Sequence, residues 1–397
     1  MTGPDIFAPS FAADPYPHYA AMRTHHPLYQ HPQTGAWILS RHADVTEALT
    51  NPDFTTASYA AQIEPLLGVT VVQRDGAEHA RERRLLAAPF QPARVQSLFA
   101  DAIAAQATAL IETFRHKGEA DLVADFIAAY PVGILALVLG LPQSDRDTFR
   151  TWYTSLLRFG LNLTGDPEIA RAGLEARDAL AAYLAPLVAA ARAGQGTGLL
   201  AMLATGESGD SLTDDDIIRF GMLMVFAGGE TVEKTTATFL RNLLAHPETL
   251  AEIRQNRTLL ETALAESLRY TAPTHMVPRQ TRADVQVSGG TIPSGAEVIC
   301  FLGSANRDES RFAQADTYNI HRTDLDSPRA FTAAATHTAF GAGRHFCLGA
   351  PLARVEVLTA VNLLLDALPD LALVGLPPGD QGLFLRGPAS LPVRFST

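Results

Sequence analysis

Phe340-Gly341-Ala342-Gly343-Arg344-His345-Phe346-Cys347-Leu348-Gly349 sets three glycines and one cysteine within ten residues, leading into an apolar pattern at Leu348, Leu352, Val355 and Leu358. Glycines let a backbone turn tightly and approach a flat ligand closely. The helix predicted to start at the cysteine would offer unpaired N–H groups and the positive end of its dipole to a sulfur anion, so the setting favours thiolate over thiol. Pro351 fits this reading, because proline is tolerated in a first helical turn. A dinucleotide-binding reading fails, since Phe346 stands where the third glycine of G-x-G-x-x-G is required. For the cysteine alone, the alternative is a buried, inert side chain beside an ordinary turn.

The rest of the chain bounds what such a cysteine can do. Of 397 residues, 47% are hydrophobic, enough for a large buried core. With 31 basic against 42 acidic side chains the net charge is -11, which argues against nucleic acid or an anionic membrane as a general partner. The two cysteines, Cys300 and Cys347, make neither a disulfide framework nor a C-x-x-C metal pair. Residues 1–13 lack the basic start and apolar run of a signal peptide, and no later stretch reaches transmembrane length. The expectation is a soluble, cytoplasmic protein with no membrane anchor.

Residues 36–39 read as a short strand and 44–49 as a helix, with Pro27, Pro32 and Pro52 as breaks. Apolar residues at three- and four-residue spacing through 98–114 and 179–191 predict helices. The longest predicted helix starts at Thr213, an N-cap with Asp216 three residues on, and meets no proline until Pro247. A further helix ends near Tyr270, residues 285–302 carry a hairpin signal around Gly289 and Gly290, and 194–209 read as a loop. The expectation is one domain over 1–397, mainly α with small β-sheets.

Within the long helix, Ala227-Gly228-Gly229-Glu230-Thr231 puts two glycines side by side, at a cost of about 1 kcal/mol each relative to alanine. Close passage over a cofactor face would explain them, with the threonine hydroxyl joining a local opening of the hydrogen-bond ladder. Plain helix packing is the alternative. Glu266 and Arg269 lie at i and i+3 on one helical face.

The ten-residue loop resembles the haem-binding signature of the cytochrome P450 family, with Phe340, Gly341 and Cys347 at matching positions. The resemblance implies a mainly helical cytochrome P450 fold, with haem b, iron protoporphyrin IX, between the long central helix and the helix after the loop. Cys347 would be the proximal thiolate ligand, Phe340 its shield, and Gly341 and Gly349 further cofactor contacts; thiolate donation favours O–O cleavage. Ala342 departs from the histidine frequent in bacterial members. Ala227 and Gly228 would lie against the haem, and Glu230 and Thr231 resemble the family's acid–alcohol proton relay. Gly229 departs from the bulkier residue common there. His79, Arg83, Arg279 and His345 would pair the haem propionates. Glu266 and Arg269 resemble the family's Glu-x-x-Arg scaffold pair; Thr317 occupies the slot of its usual second arginine, with Arg322 the candidate substitute.

That resemblance further implies a monooxygenase that inserts one atom of O2 into a hydrophobic small molecule in secondary metabolism. Leu223, Phe226, Pro273 and Met276 would line the substrate pocket, along with the apolar stretches 58–73, 156–163 and 272–277. Electrons would come from a ferredoxin and its reductase, docking near Arg81, Arg84, Arg344 and Arg354. A peroxide-driven peroxygenase on the same fold, or a non-catalytic haem sensor, are the rival readings. Cys300 reads as a core residue, His275 as a loop residue, and Trp37 as an anchor of the first strand.

Overall fold

Local sequence signals account for most of the elements. The computed structural model describes residues 3–160, 162, 165–206 and 211–397. Thr213 caps its helix as expected: its side chain accepts from Asp216 N while the Asp216 carboxylate accepts from Thr213 N, a reciprocal capping box. The hairpin signal at Gly289 and Gly290 joins strands Val285–Val287 and Gly290–Ile292; both glycines have positive φ, 126° and 152°. The helix Leu259–Tyr270 ends where the sequence reading ended it.

The chain divides into two compact units. The first comprises Met1–Thr56, Ala107–Ile127 and Thr231–Thr397. Its main sheet has five strands in the order Leu28–Gln30, Trp37–Leu39, Glu297–Cys300, Val277–Thr281 and Phe54–Thr55. Trp37 pairs in parallel with Val298, and Arg279 pairs antiparallel with the same residue. Leu39, Val45, Leu49, Phe54, Val298 and Cys300 share one apolar cluster of this unit, and Ile6, Phe11, Tyr19, Ile38, Met276 and Phe301 share another. The helix Ala350–Ala367 follows the cysteine loop. The second unit comprises Ala57–Gln106 and Ala128–Glu230, and holds the helices Gly76–Ala87, Tyr130–Leu139, Arg146–Gly160, Pro167–Arg192 and Asp214–Gly228.

Three expectations change. The helix that starts after Thr213 is interrupted at Gly229 and resumes as Glu230–Ala245, so Pro167–Arg192 is the longest helix among the described residues. The stretch read as a loop contains the helix Gly198–Thr205, whose Leu199, Leu200 and Leu203 are buried; its few apolar residues are too short a run for periodicity to reveal. The helix after the cysteine begins at Ala350, three residues later than predicted, with Pro351 in its first turn.

Two buried histidines make the fold of the first unit sensitive to acid. His275 is fully buried, and its Nδ1 lies 2.8 Å from the Tyr19 hydroxyl. Burial, aided by the positive charges of Arg386 and Arg307, pulls its pKa down to about 3. Burial, with the charge of Arg269, pulls His337 down to about 4. In the unfolded chain both take up a proton near the ordinary value of about 6.5, which the folded chain refuses. The stability they contribute is therefore complete above about pH 6.5 and is lost as pH falls from there toward the folded values. Set against the opposite trend of the buried Glu356 carboxyl, which burial pushes well up, the His275 contribution is isolated by comparison: between pH 7.5 and 5.5 the unfolding free energy of the unmodified protein should fall by roughly 1 kcal/mol more than that of His275→Gln. Identical pH profiles for the two proteins would contradict the assignment.

Candidate active site

Backbone geometry explains the composition of the cysteine loop. Gly341 and Gly343 have φ of 72° and 65°, the left-handed region that side chains disfavour. Gly343 is constrained twice, because a Cβ there would also come within 2.9 Å of the Leu49 carbonyl oxygen. The loop closes on itself: Cys347 N donates to Phe340 O at 2.9 Å, Phe346 N to Gly343 O at 3.1 Å and Gly341 N to Thr338 O at 2.8 Å. The rings of Phe340 and Phe346 meet edge-on at 6.1 Å, with Phe331 at 5.7 Å from Phe340. Cys347 itself is exposed.

A buried ion pair anchors this loop from below. Glu266 and Arg269 are both fully buried. The Arg269 Nε and Nη2 donate to the two carboxylate oxygens of Glu266 at 2.7 and 2.8 Å, a bidentate arrangement. Arg322 Nε lies 3.1 Å from Glu266 Oε2, and Asn319 N donates to Oε1 at 2.9 Å. Arg322 is thus the second guanidinium on Glu266, while Thr317 contributes its carbonyl oxygen to both arginines. Arg269 Nη1 also donates to the carbonyl of Asn306 at 2.9 Å, and Asn306 Oδ1 accepts from the amide and the hydroxyl of Thr338 at 2.7 and 3.0 Å. Thr338 then receives Gly341. The bonds run without a gap from Glu266 to the glycine turn. Asn306, which the sequence reading missed, is the link; an asparagine closing the apolar run 298–305 is its only local signal.

The two cysteines occupy opposite environments. Cys300 lies in the strand Glu297–Cys300 with no exposed surface. Burial pushes its thiol up to about 12, against a small opposing effect of Arg279. A buried thiol of this kind is inert, whereas an exposed one in a glycine turn before a helix is available as a ligand.

The glycines at the helix interruption have a packing cause. A Cβ on Gly228 would stand 2.8 Å from Leu135 Cδ2, and one on Gly229 would stand 2.5 Å from Tyr153 Cε2. Side chains of the same unit therefore occupy the space that was expected to face a cofactor, which favours the packing alternative at these two positions. Ala227, one residue earlier, is exposed. Beyond the break, the Thr235 hydroxyl donates to the Thr231 carbonyl at 2.6 Å and the Thr236 hydroxyl to that of Val232 at 2.8 Å. Such back-bonding competes for the helical acceptors and helps a helix bend.

The remaining predicted residues distribute between the units. His79, buried, and Arg83 lie on Gly76–Ala87 in the second unit. Arg279, buried, lies on the strand Val277–Thr281 and donates to its neighbour's carbonyl, and His345 ends the short turn Gly343–His345, both in the first unit. Gly349 is the N-cap of the helix Ala350–Ala367. Leu223 is buried, Phe226 half-buried and Pro273 buried, its carbonyl accepting from Arg386 N. Met276, expected in the pocket, is buried and packs in the cluster of Phe11, Tyr19 and Phe301. Arg354, expected to be a free docking cation, is paired with Glu261 at 2.5 and 2.7 Å. Positions 161 and 163, part of the expected pocket stretch 156–163, lie outside the described residues.

The donor set suits a haem. Within the first unit, an exposed thiol at a glycine turn can bind iron, and Arg279 and His345 are of the chemistry that pairs with a carboxylate.

Comparison with known proteins agrees with this chemistry. Residues 190–368 match the profile of the family described as Cytochrome P450. The chain is 33% identical over 394 residues to pulcherriminic acid synthase of Bacillus subtilis (strain 168), covering 98% of this chain and 97% of that protein. It is 33% identical over 415 residues to cytochrome P450 107B1 of Saccharopolyspora erythraea, covering 98% of each. The structure of cytochrome P450 CYP109Q5 from Chondromyces apiculatus superimposes with a TM-score of 0.89 at 27% identity, over 100% of this chain and 99% of that one.

Because Asn306 carries the link to the loop, Asn306→Ala should leave the Thr338 amide buried without an acceptor and its hydroxyl with only the Leu302 carbonyl at 3.3 Å. The expected loss is roughly 2 kcal/mol or more, read as a fall in the urea midpoint at constant slope. A loss below about 0.5 kcal/mol, the range of surface substitutions, would show that the loop does not depend on it.

Proposed function

The chain belongs to the cytochrome P450 family, and on that premise we propose that Cys347 is its haem ligand and that its substrate is a hydrophobic precursor in secondary metabolism. It has the cytochrome P450 fold, uses thiolate-ligated haem b and is a monooxygenase. Those properties set aside the sensor reading. No helix among the described residues is long and apolar enough to cross a membrane, and our reading places the protein in the cytoplasm. We treat the whole chain, 1–397, as one functional domain.

One observation carries the ligand assignment: of two cysteines, Cys300 is sealed in a sheet with its thiol pushed up to about 12, and Cys347 is exposed in the glycine turn. When bound, the haem supplies the redox centre at which dioxygen is reduced. The chain's residues do the rest. The Cys347 sulfur is the ligand, presented by the loop that the Glu266 network supports, and Phe340 is the ring this reading places beside it. Gly341, Gly349 and Ala227 are the cofactor contacts of this reading, Gly228 being packed against Leu135, and His79, Arg83, Arg279 and His345 are the propionate donors. Reducing O2 to one water and one inserted oxygen atom consumes two electrons and two protons beyond those of the substrate. The Glu230 carboxyl takes protons from solvent and the Thr231 hydroxyl passes them on. A peroxygenase would need no such pair, so Glu230 and Thr231 favour the oxygen-dependent reaction. Leu223, Phe226 and Pro273 border the substrate in this proposal.

The electron donors we propose are a ferredoxin and its reductase. Arg344 donates to the Phe54 carbonyl at 2.9 Å, which holds its guanidinium beside the cysteine loop. The name pulcherriminic acid synthase, carried by a relative, supports a secondary metabolite as substrate.

Replacing Cys347 by serine should abolish the red-shifted Soret band of the ferrous carbon monoxide complex, while Cys300→Ala should leave it in place. A band that survives in the Cys347 variant would overturn the ligand assignment.

A further inference from the structure

Four residues of the second unit interlock two helices immediately before Glu230. Tyr153 and Gly160 lie seven residues apart on Arg146–Gly160, whose buried face also carries Phe149 and Leu156. Phe226 and Gly229 lie at the end of the helix that starts after Thr213. A Cβ on Gly229 would stand 2.5 Å from Tyr153 Cε2 and 2.6 Å from its Cζ, with the hydroxyl oxygen nearer still. In the reverse direction, a Cβ on Gly160 would stand 2.6 Å from Phe226 Cε2 and Cζ. Each helix gives one aromatic ring and one glycine, and each ring sits where the other helix has no side chain.

Conformation does not explain either glycine. Gly229 has φ of -88° and ψ of -62°, helical values open to any residue, and Gly160 is not among the positive-φ glycines. Space is the constraint, since real Cβ atoms do not approach within 3 Å of such neighbours. The same helix is tied to its neighbour one residue earlier: the Trp152 ring lies 5.2 Å from that of Tyr183, whose hydroxyl donates to Asp145 Oδ2 at 2.6 Å.

We propose that Tyr153 is a positioning residue for the Glu230–Thr231 pair. Its ring takes the place of the side chain that Gly229 lacks and fixes the turn at which one helix stops and the next begins. Two adjacent glycines have more backbone freedom to lose than any other pair. A ring seated on them removes the alternative conformations, so Glu230 and Thr231 start from one backbone arrangement. The ring acts by shape, and the effect reaches the reaction only through those two residues; the proposal rests on the reading of them as proton carriers.

The test uses the holoenzyme and two readouts. One is hydrogen–deuterium exchange of the peptide covering 226–233. The other is the share of consumed dioxygen released as hydrogen peroxide, measured without added substrate and with a surrogate ferredoxin and reductase. Tyr153→Leu should speed exchange in that peptide tenfold or more and raise the peroxide share at least twofold. Tyr153→Phe, which keeps the ring, should change neither. Gly229→Ala should act as Tyr153→Leu does, and the double variant Gly229→Ala with Tyr153→Leu should recover part of both losses, because the smaller residue makes room for the added methyl. Unchanged exchange in Tyr153→Leu, or a Tyr153→Phe variant as impaired as Tyr153→Leu, overturns the positioning role. Thr231→Ala run alongside isolates the premise: if the peroxide share is unchanged there, the relay reading falls and takes the proposal's consequence with it, whatever the exchange shows.

Discussion

A carboxylate held between two guanidinium groups, with no solvent access, is the tie on which the rest of the site hangs. Glu266 alone would be costly to bury. It is tolerated because Arg269, Arg322 and the amide of Asn319 saturate its oxygens. A buried pair of this kind contributes little net stability compared with well-packed apolar residues, but breaking it is severe. Its value here lies in direction: Arg269 has donors left over, and they reach the carbonyls of Asn306 and Ala315. From Asn306 the bonds pass to Thr338, to Gly341 and so to the loop of Cys347. A helix, an irregular segment and a glycine turn, distant in sequence, become one rigid support for a single sulfur atom.

Rigidity alone would not choose between two thiols; burial does. Cys300 sits among Leu39, Val298 and Leu302, where losing a proton would strand an anion in hydrocarbon. Cys347 is exposed at the end of a loop that turns through two positive-φ glycines, Gly341 and Gly343. The same polypeptide therefore holds one cysteine as a small apolar core residue and presents the other for chemistry, with no difference in intrinsic reactivity between them.

Features decided by short-range physics were legible in the sequence. The glycine turn, the Thr213 capping box, the hairpin at Gly289 and Gly290 and the partnership of Glu266 with Arg269 each depend on residues within about ten positions. What was not legible depends on which distant side chain arrives. Gly228 and Gly229 were visible as an anomaly, but Leu135 and Tyr153, which explain them, lie some 93 and 76 positions away by residue number. Met276 looked like a pocket residue; its packing beside Phe11 and Tyr19, which come from the far N-terminal end of the chain, had no local signal. Arg354 looked like a free cation until Glu261 was found beside it. Asn306 had no pattern to announce it at all.

The central claim is that the buried Glu266 network, more than the loop's own bonds, holds in place the loop that carries Cys347, the proposed thiolate ligand. Its most direct test is the ferrous carbon monoxide spectrum of Glu266→Gln, a change that keeps the shape of the side chain but leaves two buried guanidinium groups without their counter-charge. Losing one partner of a buried pair costs about 3–5 kcal/mol. The account predicts that the variant loses most of the thiolate-type band while its far-ultraviolet dichroism keeps the helical signal. A full band at wild-type intensity would show that the loop stands without the network and would contradict the account.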